Sequence, residues 1–203
     1  MYFSFFKYLL MIKPYNRKPV LKQSSTKAIS MMRILFLILL IALLPQMAKS
    51  MTPSHPPSDS FTVYLFLLED CKITQAYADK MQSIHAEYAK DSIGFQGFFP
   101  NPVSEDSSIQ AFIQKYKIPF SCTRTHAYTR AKQLGVTVTP EVVVYNETRQ
   151  TIVYQGRINN LYERVGQRRQ VVTSHELEAA LYCIRNNKPV PIPKTTAIGC
   201  FLN

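Results

Sequence analysis

The sequence predicts an α/β chain, a three-layer sandwich with a central mixed sheet and helices on both of its faces. Three observations carry this. Residues 61–68 (FTVYLFLL) form an unbroken apolar and aromatic run, the pattern of a strand buried on both faces. Stretches of helical periodicity then alternate with further short apolar runs. Finally, two β-rich runs, 141–145 and 151–155, are separated by the turn-forming NETRQ, which suits an antiparallel hairpin.

Ahead of the domain, residues 1–50 read as a leader. Met31, Met32 and Arg33 supply a short basic start, residues 34–44 are an uninterrupted apolar run, and Pro45 breaks it. Ala48, Lys49 and Ser50 then have the small-x-small form of a cleavage site, so the segment fits a secretory signal peptide. The expectation is an exported protein, periplasmic or secreted, with the mature chain starting near Met51; a mis-assigned upstream start codon would make Met31 or Met32 the first residue. The alternative is an uncleaved anchor, the one route by which a membrane would enter. Residues 51–60, rich in Pro and Ser, read as a linker.

Within the domain, 61–188, the strand at 61–68 ends at Glu69, Asp70 and Cys71. Ile73, Ala76, Tyr77, Met81, Ile84 and Tyr88 recur at threes and fours, predicting one amphipathic helix over 73–89. Residues 93–99 read as a second strand, and the acidic start at Ser104, Glu105 and Asp106 opens a helix through Tyr116. A short extended piece at 118–122 and a helix over 126–134, stopped by Gly135, precede the hairpin. A loop is expected over 157–173, with Tyr162, Arg164, Arg168 and Arg169 read as a solvated cover on the sheet edge rather than an anion or partner site. The last helix spans 174–185, with Glu176 near a capping box that begins at Ser174. Residues 189–203 form an extended Pro-rich tail that carries Cys200.

Charge and cysteine usage narrow the function classes. The net charge of +11 suggests nucleic acid, but eight of the 24 basic residues and no acidic residue lie in 1–50. The other 16 face all 13 acidic residues, so the body carries only about +3 and no nucleic-acid partner is expected. The four cysteines, Cys71, Cys122, Cys183 and Cys200, form no CxxC, which argues against a zinc ribbon or attached haem. His126 and His175 lack metal-site spacing, so no metal and no cofactor is expected.

A strand, a cysteine at a helix start, α/β alternation, and then Thr137, Val138, Thr139 and Pro140 just before a hairpin together resemble the thioredoxin-like superfamily. The strings at 136–146 (VTVTPEVVVYN), 153–169 (VYQGRINNLYERVGQRR) and 188–203 (KPVPIPKTTAIGCFLN) are similar to its redoxin branch, alkyl hydroperoxide reductase and thiol-specific antioxidant-like, in an exported subfamily. The resemblance implies a cis bond before Pro140, with Thr139 and Pro140 facing the active cysteine. It also implies a thiol oxidoreductase or antioxidant activity whose partner is a redox protein or a peroxide. Two departures matter. Thr74 stands where thioredoxins carry their second cysteine, and residues 64–70 lack the peroxiredoxin approach to the reactive thiol. Copper delivery is disfavoured because Gln75 occupies the fourth place after Cys71.

Cys71 is the predicted nucleophile, because a helix N-terminus can lower a thiol pKa to roughly 3.5–7.5. Thr74 is expected to donate its hydroxyl to the thiolate and Lys72 to add positive charge, opposed by Glu69 and Asp70. Attack on a disulfide or peroxide needs a second thiol to resolve the product. Cys200 is the first candidate and Cys122 the second, while Cys183 reads as a core cysteine. The opposing reading is a permanent Cys71–Cys200 bridge in a non-catalytic, disulfide-stabilised binding module.

Overall fold

The computed structural model describes residues 26–43 and 59–202. The chain divides into two compact units, residues 1–54 and 55–203. In the first, helix α1 (Thr26–Leu43) takes in most of the apolar run read as a signal core, and its side chains from Met31 to Leu39 are exposed. The proposed cleavage site at 48–50 and most of the linker, 51–58, lie outside the described residues. Among the described residues no helix is long and apolar enough to cross a membrane.

The second unit is the predicted sandwich. Strands β1 (Phe61–Phe66), β2 (Gly94–Phe98), β3 (Ser121–Thr123), β5 (Glu141–Asn146) and β6 (Thr151–Gly156) form one sheet, ordered β3-β2-β1-β5-β6. β1 pairs parallel with β2 and antiparallel with β5, so the sheet is mixed. Alternation along β1 explains its apolar run. Val63 and Leu65 face one core, which gathers Met81, Ile84, Phe112, Leu177 and Leu181, while Tyr64 and Phe66 face a smaller one with Ala131, Leu134 and Val143. Both faces exclude water, which is why neither parity of the strand is polar.

Helices α3 (Ala78–Tyr88), α4 (Asp106–Lys115) and α6 (Glu176–Arg185) supply the larger core, and α5 (Ala127–Gln133) the smaller. On the smaller face Arg130 finishes the packing, its guanidinium 4.9 Å from the centroid of the Tyr64 ring and 5.2 Å from that of Tyr145.

The structure corrects four expectations. The single helix over 73–89 is two, α2 (Lys72–Ala76) and α3, because Tyr77 ends one and starts the other. Tyr77 is buried, and its hydroxyl donates to the Asn159 carbonyl at 3.1 Å, tying the break to the loop after β6. That loop is no bare cover, since Tyr162–Arg164 (β7) and Gln167–Arg168 (β8) pair as a small hairpin. Asn160 closes its base, accepting from the Thr173 and Ser174 amides at 3.0 and 3.1 Å. Glu176 does not complete a capping box, because its carboxylate takes Arg157 Nε at 2.7 Å. Finally, Cys183 is only partly buried on α6.

The tail is extended, as expected, but not loose. It crosses the domain as a strap with two attachments. At the first, the Gln155 amide donates to the Pro193 carbonyl and the Thr195 amide to the Gln155 carbonyl, both at 2.9 Å. At the second, Cys200–Phe201 (β9) pairs antiparallel with Val138–Thr139 (β4), with Thr139 opposite Cys200.

Candidate functional site

Cys71 sits where the sequence placed it, at the N-cap of α2, with the buried strand β1 behind it. It is only 3% exposed. Its sulfur meets the Cys200 sulfur at 2.7 Å and the Thr139 carbonyl oxygen at 3.5 Å. Less than about 1 Å separates this spacing from the bonded S–S distance of about 2.05 Å. Strand pairing sets the contact, because the β4–β9 register puts Cys200 directly across from Thr139.

Thr139 is fully buried between the two cysteines, and its hydroxyl donates to the Cys200 carbonyl at 3.4 Å. The bond from Thr139 to Pro140 is cis. Pro140 itself is buried, and the Gly199 backbone packs directly on the Thr139–Pro140 junction. The sequence residues Cys71, Thr139, Pro140 and Cys200 thus meet at one point.

The other expected members lie elsewhere. Thr74 is fully buried, but its hydroxyl oxygen accepts the Leu68 amide at 3.5 Å, so it supports the strand-to-helix turn rather than donating to Cys71. Lys72 turns to the Gln75 side chain at 3.3 Å. Glu69 turns the other way and accepts from Ser104 and Ser108 at 2.9 and 3.0 Å. Cys122 lies on β3, two strands from β1, its sulfur over Gly97 and within 3.6 Å of the Phe120 carbonyl. Burial pushes the Cys122 thiol up to about 12. It is a packing residue there, not the partner of Cys71.

Burial also pushes the Cys200 thiol up to about 12, reinforced by the hydrogen bond and negative potential of Cys71 and by Asp70. Cys200 therefore stays protonated at neutral pH and can donate to the Cys71 sulfur. A groove of about 630 Å³ opens beside the pair. Leu68 and Ile73 form one wall, and Tyr162, Val165 and Arg168 of the β7–β8 hairpin form the other. The loop read as a solvated cover is thus a wall of the cysteine site. Among the described residues no group of three or more His, Cys, Asp or Glu could hold a metal ion.

Sequence reasoning missed this wall and the register of β9. The signals were present: Gly166 inside the loop, at φ +81°, marks its turn, and Gly199 next to Cys200 marks a close backbone approach.

No protein-family model matches the chain, and no curated protein matches it. Among solved structures it is similar to an uncharacterized conserved protein from Geobacillus kaustophilus, at 19% identity over 72% of this chain and 78% of that one, TM-score 0.61. A hypothetical protein from Sinorhizobium meliloti 1021 is similar at 19% identity over 71% and 80%, TM-score 0.60. A secreted Mycobacterium tuberculosis disulfide oxidoreductase aligns at 18% identity over 61% and 81%, TM-score 0.45. At these identities the likeness speaks for the fold alone. The strand order, the mixed pairing and the Thr139–Pro140 junction before the hairpin make that fold thioredoxin-like.

Proposed function

We propose that this chain is an extracytoplasmic thiol-disulfide exchange protein of the redoxin kind in which Cys71 and Cys200 cycle between dithiol and disulfide. The observation that carries the proposal is the 2.7 Å approach of the two sulfurs, held by a strand register rather than by a chance rotamer. The leader pattern in 31–50 supports export.

The chemistry runs in two steps. The Cys71 thiolate attacks a partner disulfide, forming a mixed disulfide as the partner's second sulfur leaves as thiolate. Cys200 loses its proton to solvent and attacks the Cys71 sulfur, closing the internal disulfide and freeing the partner as a dithiol. Two electrons pass from the cysteine pair to the partner, and every step is reversible. Exchange is favoured over peroxide reduction because neither Thr74 nor Lys72 is directed at the Cys71 sulfur to aid a peroxide oxygen.

Mass spectrometry of the exported protein after graded-pH alkylation, with and without reductant, tests this. A Cys71–Cys200 link that opens and closes reversibly with cellular thiols, and an exchange rate abolished by Cys71→Ser, are the expected results. A quantitative link that resists reduction until the protein unfolds would make the pair a structural bridge and the chain a binding module.

A further inference from the structure

The strap attachment at β9 is a template for what the site accepts if Cys71 is the exchange thiol of the proposed function. Five consecutive residues, Ile198 to Leu202, run beside β4 with Cys200 at the groove, and each has a distinct environment. Ile198 packs against the larger core and Leu202 against the smaller. The Leu202 amide also donates to the Thr137 carbonyl at 3.0 Å, extending the β4–β9 ladder by one rung. Gly199 is buried, and a Cβ there would fall on the Thr139 carbonyl, with the Pro140 nitrogen 3.0 Å away. Cys200 meets Cys71. Phe201 is 77% exposed and makes no demand on the site.

In an added strand the main-chain bonds supply affinity and alternate side-chain pockets supply specificity. The specificity elements here are two apolar seats flanking a place where only glycine fits, with the cysteine immediately after it. We propose that Cys71 exchanges with extended partner segments of the pattern apolar-Gly-Cys-x-apolar, and that the chain's own residues 198–202 fill this site when no partner does.

The strap's own strand competes with any partner. It is tethered at Thr195, only five residues before Cys200, so its effective concentration at the groove is of millimolar order. A partner segment must displace a two-residue ladder and the Leu202 contact, not any strand of the five-stranded sheet.

The test uses the full chain carrying Cys200→Ser, alone and combined with Gly199→Ala, which expels the internal strand. The probes are peptides AIGCFL, AIACFL and AIGCKL, each activated as a mixed disulfide with thionitrobenzoate. The Cys71 thiolate attacks the peptide sulfur, the peptide–thionitrobenzoate bond breaks, and coloured thionitrobenzoate leaves with the electron pair. Peptide mapping assigns the adduct to Cys71. AIGCFL is expected to react about tenfold or more faster than AIACFL, since one added methyl is worth that much in a tight site. AIGCKL is expected to match AIGCFL within about twofold, because its lysine falls at the exposed position.

Adding Gly199→Ala to Cys200→Ser is expected to speed AIGCFL about tenfold by removing the tethered competitor. The glycine comparison is also made in Cys200→Ser alone, so it does not depend on the double variant. Equal rates for AIGCFL and AIACFL, with Cys71 reacting readily with dithiobis(nitrobenzoate), would overturn the pattern and leave the exchange reading standing. A Cys71 that reacts with neither peptide nor that small disulfide would bring down both.

Discussion

The two attachments of the C-terminal strap differ in kind. Around Thr195 the chain is fixed by side chains as well as backbone. The Thr195 hydroxyl bonds Tyr154 at 2.7 Å and accepts the Arg157 amide at 3.1 Å, and Tyr154, fully buried, donates to the Arg157 carbonyl at 2.6 Å. Around Cys200 the polar contacts are the short ladder to β4, the Leu202 amide, the Thr139 hydroxyl on the Cys200 carbonyl and the two sulfurs. The first attachment is fastened to the buried Tyr154 and is expected to open only with global unfolding. The second rests on a two-residue ladder close to the reactive sulfurs and is expected to open at lower cost. Reactivity and stability are thus assigned to opposite ends of one eight-residue stretch, 195–202.

Gly156→Ala should break the first attachment with the largest effect. Gly156 has φ +146°, and a Cβ there would enter the Thr195 backbone and hydroxyl. A loss of about 3 kcal/mol or more in denaturant-measured stability is expected. Little change in stability would mean that the attachment at Thr195 is as yielding as the one at Cys200.

Arg157→Met, at the same end, should cost about 3 kcal/mol at neutral pH, because it strands the buried Glu176 carboxylate. Burial pulls the Glu176 carboxyl up, but hydrogen bonds from Arg157, Ser174 and its own amide, with the Arg157 charge, together hold it below the ordinary 4.5. A depressed carboxyl contributes stability that is present above the unfolded value and is lost as pH falls through the folded one. The gap between wild type and variant should therefore narrow below pH 4.5 in acid-unfolding curves.

Gly199→Ala should do the reverse of Gly156→Ala, changing global stability by under about 1 kcal/mol. It should also make Cys71, buried in the wild type, markedly faster to alkylate. A large stability loss without faster alkylation would erase the contrast between the two attachments.

The smallest expected effect sharpens the site itself. Burial raises the Cys200 thiol first, and the Cys71 contact raises it further. Cys71→Ala should therefore move the pH profile of Cys200 alkylation to lower pH. An unmoved profile would mean that the two sulfurs do not interact in solution.

Much of this was legible in the sequence, for identifiable reasons. The run at 61–68 specifies a central strand because both of its faces are buried, and the Thr139–Pro140 junction locates the groove. Cys200 could be nominated because an extended tail has freedom to fold back. Its register could not, since that follows from Gly199 fitting over the Thr139 carbonyl, a contact across 60 residues. Thr74 was misassigned because sequence spacing places it one helical turn from Cys71 but does not say which backbone amide its hydroxyl meets. The β7–β8 hairpin hid in a charged segment whose polarity looks like solvent exposure, although Tyr162 packs against the core.

The strap's weaker end has a consequence for how this protein could be converted by cutting. A nick after Ala197 would remove the second thiol while leaving all five strands of the main sheet and the Thr195 fastening in place. On the proposed exchange cycle, the shortened chain would attack a partner and then have no second sulfur beside Cys71 with which to let it go. Such trimming would turn the proposed exchange protein into a covalent trap, which also makes the trimmed chain a means of capturing its partner.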